Sequence, residues 1–263
     1  MGFFKKAMAK IGIGSVKLDT VIESELQQGA EVTGHFKIRS GKVEQHIDQI
    51  YLTIWTTYIE EYEDSEGEEK TRNVYEEIQK VEVPFDETVK PGDEEREIPF
   101  SFVLSPKTPI SIKDDSVWID SGLDIKTAID PSDRDYIKVK PHPYLETVLK
   151  AIEELGFKLR EIENEAAKIV GYDLPFIQEF EFKPGNDFRD SLDELEVAFF
   201  IKDSRIDMLM EVDRKGKGLF GLLEEALDID ESKGKLSIDA EDLEQGVDHV
   251  ANMLKEYIMD KAA

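Results

Sequence analysis

The 263-residue chain has no cysteine, four histidines and no long apolar run. Without cysteine there is no disulfide framework, no thiolate zinc site and no thiol nucleophile. Positive charge is also scarce: 33 Lys and Arg stand against 59 Asp and Glu, a net charge of −26. A field of that sign repels phosphate backbones and anionic lipid headgroups, which argues against nucleic acid as a partner. No stretch approaches the roughly 20 apolar residues that span a bilayer, so stable membrane insertion is not expected. The opening residues, MGFFKKAMAKIGIG, are broken by Lys5, Lys6 and Lys10 and contain no continuous signal-peptide core. Lys6 also stands where a myristoylation signal needs Ser or Thr. A soluble, cytoplasmic protein is the expectation.

Enzyme signatures are missing too. There is no G-x-S-x-G and no serine at a strand-to-helix turn. Gly216, Gly218 and Gly221 match G-x-G-x-x-G, but the preceding IDMLMEVD alternates apolar and acidic residues like a half-exposed antiparallel strand. The following LLEEALDID is short and acidic, which opposes phosphate. His35, His46, His142 and His249 show no i, i+4 pairing, and Asp130-Pro-Ser-Asp133-Arg-Asp135 lacks the alternating oxygen ligands and glycine of a calcium hand. No catalytic, cofactor-binding or metal-binding residue is assigned, and no cofactor is expected.

What is present is period two. Val32, Gly34, Phe36 and Ile38 alternate with polar residues, as do Ile50, Leu52 and Ile54, and then Ile98, Phe100, Phe102 and Leu104. With Gln28-Gly29, Ser40-Gly41 and Lys90-Pro91-Gly92-Asp93 as turns, about seven strands read as a β-sandwich. The charged stretch IEEYEDSEGEEKTR, residues 59–72, reads as a long hairpin tip kept unsticky by its charges. Tyr144, Val148, Ile152 and Leu155 recur at helical spacing up to Gly156. Strand patterns resume at LPFIQEFEFKPG, in a hairpin turning at Asp203-Ser204, and at KLSI. A last helix carries Leu243, Val247, Val250, Leu254 and Ile258 on one face, with Asp239 or Asp242 as its cap. That stripe is either core or a homodimer contact. Phe3, Phe4, Ala7, Met8 and Ile11 form a second amphipathic face, expected to dock on the protein itself or on a partner.

Residues 118–143 hold five aspartates between Asp120 and Asp135, then Pro141-His142-Pro143. They fall where one sandwich pattern ends and the next begins, so residues 130–143 are expected to connect two domains, anchored by Tyr136, Ile137 and Val139. The expected division is a sandwich over 1–133, a second over 134–238 and a terminal helix over 239–263. Two other readings stay open. One is a calcium-dependent membrane-binding sandwich using the Asp120–Asp135 loop and the basic N-terminus; the other is a carbohydrate-active sandwich with two facing carboxylates.

QGAEVTGHFKIRSG (28–41) with IDQIYLTIWTTY, and PGDEEREIPFSFVLSPKTPIS (91–111) with Phe100, Phe102, Leu104, Pro106, Pro109 and Ser111, resemble the start of arrestin-like domains. Across the chain, FFKKAMAKIGIGSVKLDT, VWIDSGLDIKTAIDPSDRDYIKVKP, LGFKLREIENE and RKGKGLFGLLEE resemble the sporulation-control protein M family, also called stage-zero sporulation protein M. The resemblance implies an all-β protein of two tandem arrestin-like, immunoglobulin-like β-sandwiches with a short helix in the second domain and a C-terminal helix. It also implies a non-enzymatic regulatory scaffold that binds protein partners in control of sporulation or related bacterial physiology. One departure stands out: arrestin relatives bind WW domains through Pro-Pro-x-Tyr, and this chain has Pro141-His142-Pro143-Tyr144.

Overall fold

The computed structural model describes residues 15–112, 116–125, 132–169, 171–185, 187–213 and 234–262. In chain order the elements are β1 (Lys17–Ile22), β2 (Glu31–Arg39), β3 (Gln45–Glu63), β4 (Glu69–Val89), β5 (Arg96–Val103), β6 (Val117–Asp124) and β7 (Ser132–Tyr136). There follow α1 (Pro143–Glu154), β8 (Lys158–Ala166), β9 (Phe176–Lys183), β10 (Glu194–Lys202), β11 (Arg205–Asp213), β12 (Lys235–Asp239), α2 (Ala240–Leu243) and α3 (Val247–Lys261). The chain divides into two compact units: Met1–Thr56 with Glu76–Lys140, and Thr57–Tyr75 with Pro141–Ala263. The all-β reading with one short internal helix and a terminal helix holds.

In the first unit β2 lies between β1 and β5 in an antiparallel sheet. Its alternation is realised residue by residue, with Val32, Gly34, Phe36 and Ile38 buried and their neighbours partly or fully exposed. A second layer pairs β3 with β4 and β6, and β6 with β7. There Ile50, Leu52 and Ile54 stand opposite Leu123, Ser121 and Ile119, all buried. Each such aliphatic side chain contributes about 1.5–3 kcal/mol on burial. Gly34 is where the aromatic part of this core demands a glycine. A Cβ there would lie 2.3 Å from the Val21 carbonyl oxygen and 2.6 Å from the Phe100 ring.

The charged stretch is a hairpin, as its pattern suggested. β3 runs to Glu63, β4 resumes at Glu69, and Asp64 holds the turn by accepting from the Glu66 and Glu68 amides at 2.8 and 3.1 Å. The Lys70 ammonium, then those amides, keep the Asp64 carboxyl below its ordinary range.

Residues 132–140 are built into the first unit rather than strung beyond it. β7 pairs with β6 from Gly122↔Ser132 to Trp118↔Tyr136. Beyond β7, the Ile137 amide donates to Val117, Val139 accepts from Ser111, and the Lys140 amide donates to Leu26. The chain therefore changes unit at Lys140/Pro141, seven residues beyond the expected boundary at Asp133. Ile137 and Val139 are buried anchors as expected, whereas Tyr136 is 62% exposed and lies 6.0 Å from the Trp118 ring.

The second unit is built on strands ordered β12-β11-β10-β9-β8, joined by the end of β3, which runs parallel to β8 at Ile59↔Glu165. The β10–β11 hairpin turns at Asp203-Ser204, with Lys202 opposite Arg205. Helix α1 starts on Pro143, capped by His142, whose Nδ1 accepts the Tyr144 amide at 3.1 Å, and stops before Gly156 at φ 88°. Val250, Ala251, Leu254 and Ile258 of α3 are buried, and α3 packs on α1 and β11. The terminal stripe is thus core of its own unit.

Candidate functional site

On β8, β9 and β10 the two faces of the sheet differ in chemistry. Ile162, Phe180, Phe182, Leu195 and Val197 share one parity and, apart from half-buried Ile162, are buried. The opposite parity carries Glu161, Glu163 and Glu165 on β8, Glu179 and Glu181 on β9, and Glu196 on β10. Register aligns them: Glu163 opposes Glu179, and Glu181 is flanked by Glu161 and Glu196. Like charges directly opposite one another in a ladder are destabilising. The sequence supplies them because β8 alternates glutamate with apolar or amide residues, which a strand sorts onto opposite faces.

The electrostatic consequence centres on Glu179. Burial first, then the charges of Glu165, Glu196, Glu181 and Glu163, push its carboxyl up to about 8. Glu165 is raised in the same way, by burial and then by Glu163, Glu61 and Glu196. At one end of the row the acids are matched. Arg160 pairs with Glu181, and Lys183 bridges Glu194 at 2.8 Å and Glu181 at 3.3 Å. Glu194 is consequently held below its ordinary value, chiefly by Lys183.

At the other end the same face becomes apolar. Ile177, Ala198, Phe200 and Leu209 are covered by Ala167 and Ile169, with Tyr172 packed edge-on to Phe200 at 5.4 Å. Burial there raises the Tyr172 hydroxyl's pKa. A cleft of about 530 Å³ opens beside this cover, lined by Tyr58, Glu60, Glu61, Lys168, Tyr172 and Leu174 among others. Tyr58 stacks on Phe176 at 5.4 Å, which fixes one wall. Further along the face, buried Asp207 is held by Arg205 Nε at 2.8 Å and the Ser237 hydroxyl at 2.8 Å. The surface so built is a carboxylate patch, poised to take up protons or positive charge, running into an aromatic cleft.

The residues singled out in the sequence lie elsewhere. Asp120 is gripped by Arg134, whose Nε and Nη2 each donate at 2.6 Å, while that guanidinium sits 5.0 Å over the Trp118 ring. Asp133 accepts the Thr20 amide at 3.1 Å, and burial, then Asp133 and Asp19, raise Asp135. These contacts occupy Asp120 and Asp133 with structural work. Asp130, the basic N-terminal segment and Gly216, Gly218 and Gly221 lie outside the described residues. Among the histidines, His35 pairs with Glu23 at 2.9 Å, His249 with Asp242 at 3.0 Å, His142 caps α1, and His46 faces Asp48 and Asp86. The glutamate face was not foreseen. The signal available was E-x-E-x-E over Glu161–Glu165 and E-x-E over Glu179–Glu181, each of which puts its acids on one face if it is a strand.

No helix among the described residues is long and apolar enough to cross a membrane. Residues 4–216 match the family described as SpoOM protein. The chain is 38% identical, over the whole length of both proteins, to the sporulation-control protein spo0M of Bacillus subtilis (strain 168). A crystal structure of Spo0M, the sporulation control protein from Bacillus subtilis, superposes with a TM-score of 0.82 at 37% identity, covering 95% of this chain and 100% of that one. With a family match over most of its length and a full-length relative of the same kind, the chain belongs to the Spo0M family of sporulation-control proteins.

Proposed function

We propose that the protein is a non-enzymatic regulator acting in the cytoplasm, and that it works by binding protein partners that present basic segments to the glutamate face of the second unit. The observation carrying this reading is the alignment of Glu163, Glu165, Glu179 and Glu196 on adjacent strands, where the charges acting on Glu179 are all carboxylates. A lysine or arginine placed over this row replaces mutual repulsion with charge-assisted hydrogen bonds. The neighbouring aromatic cleft supplies apolar surface for an anchoring side chain. The sporulation-control role of the family supports regulation rather than catalysis.

The test compares pull-downs from native lysate with the intact protein and with a Glu163→Gln/Glu165→Gln/Glu179→Gln variant. A partner retained by the first and lost by the second, with retention weakening as salt rises, is the expected result. Recovery of the same proteins by both would sink the reading.

A further inference from the structure

We propose that His46, Asp48 and Asp86 form a binding site for a divalent transition-metal ion, with Zn²⁺ the ion it suits. His46 and Asp48 are two residues apart on β3 and so point from the same face of the strand. Asp86 comes from β4, the neighbour of β3. Imidazole Nε2 lies 3.3 Å from Asp48 Oδ1 and 3.2 Å from Asp86 Oδ1. One ligand atom from each of the three residues lies within 4.8 Å of the other two.

The two distances from Nε2 match the spacing of neighbouring ligands on one ion. Two ligands each about 2.0 Å from a tetrahedral zinc ion are about 3.3 Å apart. Hydrogen bonds from a ring N–H to oxygen run from about 2.7 to 3.2 Å, so the two contacts of Nε2 stand at or just beyond the long end of that range. The other ring nitrogen is engaged as a metal-bound histidine's usually is: Nδ1 lies 3.2 Å from the Thr88 hydroxyl, which orients the ring. An imidazole with two carboxylates favours a borderline ion such as Zn²⁺ over Ca²⁺, which seeks six or more oxygens. His46 and Asp86 are solvent-accessible, so an ion can reach the site from solution and the fourth position falls to water. Both ligand-bearing strands run well past this stretch, so the triad lies along the hairpin and not at its tip, with Asp86 at a local break in β4 where φ is 44°.

Two readouts on the full chain test this: calorimetric titration with Zn²⁺, and the visible absorption of Co²⁺ as a spectroscopic stand-in. The expected result is one saturable ion per chain, with affinity falling at least about tenfold in His46→Gln and Asp86→Asn. Asn is the substitution to use because Asp86 has φ 44°, a conformation asparagine also tolerates. Thr88→Val should weaken binding by a smaller factor, and His249→Gln should leave it unchanged. Equal excess Ca²⁺ should not displace the Zn²⁺. No saturable binding, equal binding by the His46→Gln and Asp86→Asn variants, or displacement by Ca²⁺ would each overturn the assignment, the last two pointing to ions collected by the chain's overall negative charge.

Discussion

Glu163 on β8 and Glu179 on β9 are directly opposed in an antiparallel pair, so two carboxylates share one rung of the ladder. Burial and these neighbours raise the Glu179 carboxyl from 4.5 to about 8. Between those values the folded protein holds a proton that the unfolded chain has released, so stability falls as pH rises through that window and levels off above it. Glu179→Gln removes the titration. It should match the wild type near pH 4 and exceed it above pH 8 by up to about 5 kcal/mol. Urea unfolding at a series of pH values reads this directly. A wild-type stability that climbs from pH 5 to pH 8 would contradict it, unless the Gln variant climbs more steeply still.

Gly34 should tolerate nothing larger. Its Cβ would press on a backbone carbonyl of β1 as well as on the Phe100 ring, and the backbone cannot swing aside. Gly34→Ala is expected to cost about 1–3 kcal/mol, the range for overpacking a filled core. A denaturation midpoint equal to wild type would show that β1 can move away from β2.

Gly122 offers the contrasting case. There a Cβ would fall 2.2 Å from the Tyr51 hydroxyl and 2.3 Å from its ring carbon, but nearest to it is a side chain. Tyr51 and Gly122 are register partners on β3 and β6, and the ring lies across the glycine. Gly122→Ala should be destabilising alone, and less so, or not at all, in a Tyr51→Ala background. A double-mutant cycle with no coupling between the two sites would remove this account.

The aspartates of residues 120–135 should matter less for stability than one isoleucine nearby. Arg134 and Asp120 pair at the surface, where such a bridge contributes no more than about 1 kcal/mol, so Asp120→Asn should be mild. Asp135 is already disfavoured as an anion, and Asp135→Asn should be neutral or slightly stabilising at neutral pH. Ile137 is buried, and Ile137→Asp places a charge in apolar surroundings at a cost of several kcal/mol. Thermal melts of the three variants give the ordering. An Asp120→Asn loss larger than that of Ile137→Asp would mean that the acidic stretch is the structural element.

Much of the fold could be read from periodicity, and the misses have physical causes. β2 was legible because it buries one face and leaves the other partly exposed, and the β10–β11 hairpin because two apolar-rich runs flank the turn at Asp203-Ser204. β8 was not read as a strand. Its sequence KLREIENEA has one strongly apolar residue in its second half, Ile162, and its buried Asn164 spends an amide hydrogen on the Thr57 carbonyl at 2.9 Å. A strand that buries an amide and stacks glutamates looks like a charged loop until its neighbours are known. The glutamate face suffers the same way, since Glu163 and Glu179 become neighbours only through pairing. His46-x-Asp48 was visible as a strand-spaced pair, but Asp86 comes from the far strand of a long hairpin, and no local pattern brings it in. The unit boundary was placed too early because the prolines at 141 and 143 and the aspartates before them were read as one linker, whereas β7 is stitched into the sheet of the first unit.

The assignment of residues 57–75 to the second unit has a consequence for the order in which the protein is made. This stretch leaves the ribosome before β5, β6 and β7, yet the strand that pairs with its Ile59 is β8, about a hundred residues later. At ordinary elongation rates the tip of the hairpin waits roughly 5–20 s for its partner. An uncovered strand pair is an invitation to a neighbouring nascent chain. The acidic run from Glu60 to Glu69 gives identical tips like charge, which disfavours their pairing during that interval.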